Sequence, residues 1–317
     1  MNAGGRLALY GAGLVVAFGA AFAVAGAVVP GDIAATWVKK DEMNGHTEEA
    51  GTAAHGASEH TTADALKGLS LSAGGFTLSP VEAPGAVGEG GELSFRILDE
   101  AGEPVTSYAT AHDKELHLIV VRSDGMLFRH VHPELDTGTG LWSLPWTWTD
   151  AGTYRVYADF TPSGKDAVGL TLTRTLQVAG SFAPTQPALS KVDDVDGYTV
   201  SLEGDLAAGA SGELTITVTR DGEPVTTLQP YLGAFGHLVA LREGDLAYLH
   251  VHAEGDDPEA GETSGPEIGF MAEAPTAGRY LLYLDFQVDG TVHSAEFVVE
   301  AAQAPHGEQS DTHDDSH

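Results

Sequence analysis

Residues 91–134 read GELSFRILDEAGEPVTSYATAHDKELHLIVVRSDGMLFRHVHPE, and residues 212–254 read GELTITVTRDGEPVTTLQPYLGAFGHLVALREGDLAYLHVHAE. Beyond the first few residues the two stretches align at a constant offset of 120: Gly102/Gly222, Val105/Val225, His117/His237, Arg122/Arg242, His130/His250 and His132/His252. Downstream, AGTYRVYADF (151–160) matches AGRYLLYLDF (277–286), with the offset grown to 126 by a six-residue insertion around DDPEAGETSG. Self-similarity of this length marks an internal repeat. One module spans residues 71–180 and its copy 195–301, joined by the Pro-containing linker 181–194.

Each copy reads as all-β. In the first, GFTLSP, ELSFRIL, ELHLIVVR, LFRHVH, WSLPWTW, TYRVYADF and LTLTRTLQV are short, rich in β-branched and aromatic residues, and punctuated by Gly, Pro and Asp. Seven such runs predict an antiparallel β-sandwich. TDAGTYRV resembles the entry to strand F of immunoglobulin domains, with Tyr154 in the tyrosine-corner position and Val156 where a cysteine often sits. Tyr280 and Leu282 repeat the arrangement. The strand-C tryptophan is missing, so the expectation is two tandem Ig-like sandwiches rather than true immunoglobulin domains.

The chemistry concentrates in the hairpin HLIVVRSDGMLFRHVH. Asp124-Gly125 suits a type I′ turn and Gly244-Asp245 a type II′ turn, both closing two-residue hairpins. Residues whose numbers sum to 249 then stand opposite one another, placing His117 across from His132 and Ile119 across from His130. Opposed residues share a face, as do i and i+2, so all three imidazoles lie on one face at the hairpin base. In the second copy the sum is 489, and His237, His250 and His252 fall into the same arrangement. Toward the turn that face is apolar: Ile119, Val121 and Phe128 in one copy, Val239, Leu241 and Tyr248 in the other. Imidazoles at strand spacing can converge on an ion at about 2.0–2.1 Å each, so His117, His130, His132, His237, His250 and His252 are the candidate metal ligands. Three imidazoles suit Cu(II), Zn(II) or Ni(II). Asp159 and Asp285 hold matching positions in strand F, where each either supplies a carboxylate or makes structural hydrogen bonds. Met271 has no counterpart in the first copy, where Pro145 stands.

The 317-residue chain carries 15 Lys and Arg against 46 Asp and Glu, a net charge of −31, which excludes a nucleic-acid partner. It has no cysteine, which excludes disulfides, thiolate metal sites and lipoprotein attachment. Residues 7–29, LALYGAGLVVAFGAAFAVAGAVV, run uncharged between Arg6 and Pro30 and are long enough for a membrane helix. Residues 1–30 are therefore expected to be a signal anchor, with a cleaved signal peptide as the alternative, a single pass and the bulk of the chain extracytoplasmic. Residues 31–70 form an acidic linker carrying His46, His55 and His60, and residues 302–317 a tail with His306, His313 and His317. Both lack the apolar content to fold, and imidazole with carboxylate in such tracts can capture metal loosely.

The HLIVVR…FRHVHPE hairpin, followed by AGTYRVYADF, resembles a family of bacterial exported proteins with a membrane anchor and tandem Ig-like domains. Such proteins often accompany copper or other heavy-metal efflux systems. The resemblance covers roughly residues 1–300. It implies metal handling outside the membrane, copper as the ion, a metal efflux pump as partner, and His117, His130 and His132 as ligands. The second copy keeps HLVALR and HVH but has Ala253 for Pro133.

Neither G-x-S-x-G nor H-E-x-x-H occurs, and no glycine loop cradles phosphate, so no enzyme is expected. Three classes remain: an extracytoplasmic metal-binding protein acting as chaperone, buffer or sensor; a structural or adhesive surface protein whose histidines merely pack; and a metal-dependent enzyme.

Overall fold

All seven predicted runs of the first copy become strands, and no helix occurs among the described residues. The computed structural model describes residues 67–303 except 166, 250, 256, 257 and 260. The predicted membrane helix, most of the acidic linker and the C-terminal tail lie outside the described residues, and within those no helix is long and apolar enough to cross a membrane.

The first repeat begins with β1 (Ser72–Ala73), β2 (Phe76–Leu78), β3 (Gly90–Phe95), β4 (Ile97–Leu98) and β5 (Tyr108–Ala109). It continues with β6 (Leu116–Arg122), β7 (Arg129–Val131), β8 (Glu134–Asp136), β9 (Leu141–Thr147), β10 (Gly152–Pro162) and β11 (Leu170–Val178). The second repeat begins with β12 (Val192–Val195), β13 (Tyr198–Glu203), β14 (Leu206–Ala207), β15 (Ser211–Arg220) and β16 (Glu223–Pro224). It ends with β17 (His237–Arg242), β18 (Tyr248–Leu249), β19 (Val251–Ala253), β20 (Glu267–Glu273), β21 (Gly278–Val288) and β22 (Thr291–Ala302). One sheet of each repeat is built on the hairpin strand, in the orders β11-β10-β6-β7 and β14-β22-β21-β17-β18. The opposing layer is β3-β9-β8 with β1-β2-β4 in the first repeat and β12-β13-β15-β20-β19 in the second. Each repeat is thus an antiparallel β-sandwich with its own core; β14 beside β22 is the parallel exception. The tyrosine corners form as expected, Tyr154 donating its hydroxyl proton to Asp150 O and Tyr280 to Thr276 O, both at 2.8 Å.

Strand β6 is buried along both faces, and its period of two explains why. Leu116, Leu118 and Val120 enter the core of the first sandwich. Ile119 and Val121 point the other way, into a third apolar cluster with Tyr157, Val239, Leu241, Leu246, Leu281, Tyr283 and Val298. That cluster is where the hairpin sheets of the two repeats meet face to face. Phe128 stacks on Tyr283 across it at 4.0 Å. The contacts are reciprocal, as about a pseudo-twofold: Tyr157 donates to Leu246 O (2.6 Å), and its counterpart Tyr283 donates to Gly125 O (2.5 Å).

The hairpin register is the predicted one, with Ile119 opposite His130 and Leu241 opposite Tyr248, but the turns differ. A type I′ turn needs positive φ at both central residues, and of the pair only Gly125 has it, at 82°. Asp124 is fastened instead by the Arg122 guanidinium (2.8 and 2.9 Å) and the Thr185 N–H (2.9 Å). Arg122 N–H bonds Met126 O, closing a three-residue loop, and a one-residue bulge at Leu127 (φ 59°) restores the register. In the second repeat Arg242 N–H bonds Ala247 O around a four-residue loop.

Gly125 sits where the loop touches the other repeat: a Cβ there would lie 2.3 Å from Leu281 Cδ1. Gly125→Ala is therefore expected to destabilise the chain by about 1–3 kcal/mol. Tyr157→Phe and Tyr283→Phe should each cost about 1–2 kcal/mol by leaving a buried carbonyl unpaired. Urea unfolding at pH 7 checks all three, and unchanged midpoints would mean that the inter-repeat face contributes nothing to stability.

Candidate metal centre

At the end of this face farthest from the loops, the apolar side chains give way to histidine. A tight turn precedes each hairpin strand: His112 (φ 50°) and Asp113 (φ 61°) in the first repeat, Leu232 (57°) and Gly233 (77°) in the second. Ala111 and Lys114, and likewise Tyr231 and Ala234, exchange both backbone hydrogen bonds across these turns, which have the positive φ pair of type I′. Each turn presents a carbonyl to the first histidine of the following strand. His117 Nε2–H donates to Ala111 O (3.1 Å), and His237 Nε2–H donates to Leu232 O (3.0 Å). In both rings Nδ1 then carries the bare lone pair.

His130 is fixed from the other repeat. Its Nδ1–H donates to Asp285 Oδ2 at 2.8 Å, between side chains only 2% and 4% exposed. The second Asp285 oxygen accepts from the Ser294 hydroxyl. His130 Nε2, which is left bare, points at His117 Nδ1 3.0 Å away, and His132 Nε2 lies 3.2 Å from the same atom. Two acceptor lone pairs at 3.0 Å repel unless a proton or a cation lies between them. The three nitrogens all fall within 4.8 Å of one another and can hold a metal ion. Two ligands at about 2.0–2.1 Å from one ion stand about 2.9–3.4 Å apart for angles of about 90–110°, so the spacing fits. The Asp285–His130 pair has the form of a carboxylate orienting a metal-bound imidazole.

Burial disfavours the charged form of His117, His132 and His237. Burial, with His130 nearby, pushes His117 down to about 3 and His132 likewise to about 3. Burial lowers His237 to about 4.

The structure places the predicted residues unequally. His117, His130 and His132 converge as expected. His237 sits beside them, across the repeat boundary, with ring centroids 5.9 Å from His117 and 6.0 Å from His130. His250 lies outside the described residues, as does the side chain of His252. The backbone of the second hairpin departs from the expected pairing: Val131 pairs with Leu118, whereas its counterpart Val251 has already crossed to pair with Ala272 in the opposing sheet. Pro145 stands in the first repeat where Met271 faces His252. Proline has no N–H to offer that ladder, so the first hairpin keeps its chain longer.

The two matching aspartates also diverge. Asp159 accepts from Thr171 (3.0 Å), whereas Asp285 reaches into the other repeat. The sequence marked both aspartates but not this destination. His112, exposed in its turn, escaped notice; its ring lies 5.0 Å from His237 and 6.1 Å from His117. It opens onto a cleft of about 910 Å³ shared with Asp113, Gln229, Glu259 and Glu262.

A family described as "Domain of unknown function (DUF8832)" matches residues 72–178 and 193–303, one copy for each repeat. Among solved structures, the chain is similar to fibronectin(III)-like modules of Clostridium thermocellum CbhA, at 11% identity over 72% of this chain and 95% of that one, with a TM-score of 0.18. It is also similar to an endo-fucoidan hydrolase from glycoside hydrolase family 107, at 12% identity over 72% of this chain and 44% of that one, again with a TM-score of 0.18. No curated protein sequence matches.

The lowered histidines make stability pH-dependent. Below about 6.5 the unfolded chain takes up protons that folded His117, His132 and His237 refuse until about 3–4. Metal-free protein should lose stability as pH falls from about 6.5 toward 4, each histidine contributing up to about 1.4 kcal/mol per pH unit. Asp159 and Glu296, whose carboxyls burial pushes up, act with the opposite sign but are fewer. Urea midpoints at pH 7, 6 and 5 check this; a midpoint that rises on acidification would contradict it.

Proposed function

The chain belongs to the DUF8832 family, and we propose that it is an extracytoplasmic transition-metal binding protein that buffers, senses or hands on its ion. The observation that carries this reading is the convergence of His117 Nδ1, His130 Nε2 and His132 Nε2, with one ring oriented by Asp285. Buried imidazole nitrogens on rigid strands favour a borderline divalent ion over Mg(II) or Ca(II). Copper is the first candidate, through the resemblance to proteins that accompany metal efflux systems, with zinc and nickel as alternatives. In this reading residues 7–29 anchor the chain in the membrane, a metal efflux pump is the partner, and the ion is cargo rather than a catalyst. The acidic surface and the histidine-bearing tracts raise the local cation concentration.

Equilibrium dialysis with Cu(II) and Zn(II) tests the assignment. The purified chain should hold an ion at micromolar affinity or tighter. Combined His130→Ala and His132→Ala should abolish that event while circular dichroism stays unchanged. Asp285→Asn keeps the shape but no longer offers a full carboxylate to His130, and should weaken binding about 10–100-fold. Removing residues 304–317 and 31–66 should strip weaker sites and spare the strong one. Affinity should fall as pH drops below about 6.5, because the ion competes with protons for the imidazoles. If binding survives the hairpin substitutions and disappears with the tails, the sandwiches are spacers and the structural reading holds.

A further inference from the structure

Resting on the metal reading above, we propose that His237 gives a fourth imidazole to the same ion, so that the two repeats share one four-histidine centre instead of holding one site each. Three ligands leave a tetrahedral ion one position short. His237 is the repeat counterpart of His117 and is prepared in the same way. It donates Nε2–H to the carbonyl of the preceding turn, so that Nδ1 is the atom left to bind.

Its position fits. Rings of the triad stand 4.9–5.2 Å apart between centroids. Four imidazoles bound through nitrogen at about 2.0–2.1 Å around a tetrahedral ion place their centroids about 5.3 Å apart. His237 is 5.9 Å from His117 and 6.0 Å from His130 between centroids, and its nitrogens stand outside the group that lies within 4.8 Å, so closure needs its ring to swing toward the triad. Strands β17 and β21, paired at His237 and Asp285, already deliver the carboxylate that orients His130. The same pair of strands therefore supplies both an orienting group and a ligand from the second repeat. His112 is the other neighbouring ring, but it is exposed and its contacts are with His117 and His237 rather than with the rest of the triad. In the second repeat the chain leaves the hairpin at Val251, so His237 lacks the partner strand that delivers His132 to His117. A shared centre also gives the ion a mechanical consequence: it clamps the repeats across the face they already bury.

The test uses Co(II) and Zn(II) with the full chain, which contains no cysteine. His237→Cys places a thiolate at the position in question. Titration with Co(II) should give a thiolate-to-cobalt charge-transfer band that saturates at one ion per chain. The band should disappear when His130→Ala and His132→Ala are added, and should persist with His112→Ala. Native mass spectrometry of the unaltered chain should show one Zn(II) held more tightly than any other. His237→Ala should weaken that ion at least about 10-fold. Visible ligand-field bands in His237→Cys without the charge-transfer band would overturn the shared centre while leaving the triad intact. So would two Zn(II) ions of equal affinity, or unchanged affinity in His237→Ala. If the unaltered chain binds neither ion, the metal reading itself fails and the shared centre with it. Should His237→Cys misfold by circular dichroism, the His237→Ala affinity decides.

Discussion

The face shared by Ile119, Val121, Tyr157, Val239, Leu241, Leu281 and Tyr283 is the contact on which the site depends. A strand alternates its side chains between two faces, and in β6, β10, β17 and β21 one set fills a sandwich core while the other needs a second cover. Duplication supplies that cover from within the chain, because each copy presents the same apolar stripe to the other. The reciprocal tyrosine bonds to Leu246 and Gly125 fix how the stripes lie. Sliding one sheet along the other would leave these buried carbonyls unpaired, at a cost comparable to their burial.

The histidines occupy the end of this dry interface, where one side is protein and the other opens to the cleft beside His112. The neutrality of His117, His132 and His237 follows from the interface more than from any single neighbour, since burial is the largest cause of each lowered value. A ring that refuses protons keeps a lone pair available for a cation. The turn carbonyls and Asp285 each hold one ring nitrogen and thereby decide which lone pair faces inward. Because the carboxylate comes from one repeat and the triad from the other, orientation of the ligands and docking of the repeats are one event.

Much of this was legible in the residues. Period-two alternation, turn chemistry and the constant offset of the repeat gave strands, sandwiches, tyrosine corners and a hairpin register in which His117, His130 and His132 share a face. These are local properties, set within about 20 residues and by steric rules that any chain obeys. Even where the turn type differed, because Asp124 is tied to Arg122 and Thr185, a compensating bulge preserved the register, since a slip would have turned the whole apolar stripe to the wrong side.

The destination of that face was a tertiary matter. Nothing near His130 in the chain marks Asp285, which lies 155 residues away, as its partner. Nor does the offset of 120 say that His237 will sit against the triad of the other copy rather than in a triad of its own. Repetition makes two copies alike in sequence, but their packing places equivalent residues in different surroundings: Asp159 meets Thr171 while Asp285 meets His130, and one hairpin crosses to the opposing sheet earlier than the other. The sequence by itself determined which residues could share a face. Only the docking of two such faces decided which of them meet, because that choice is made by surface complementarity between segments far apart in the chain.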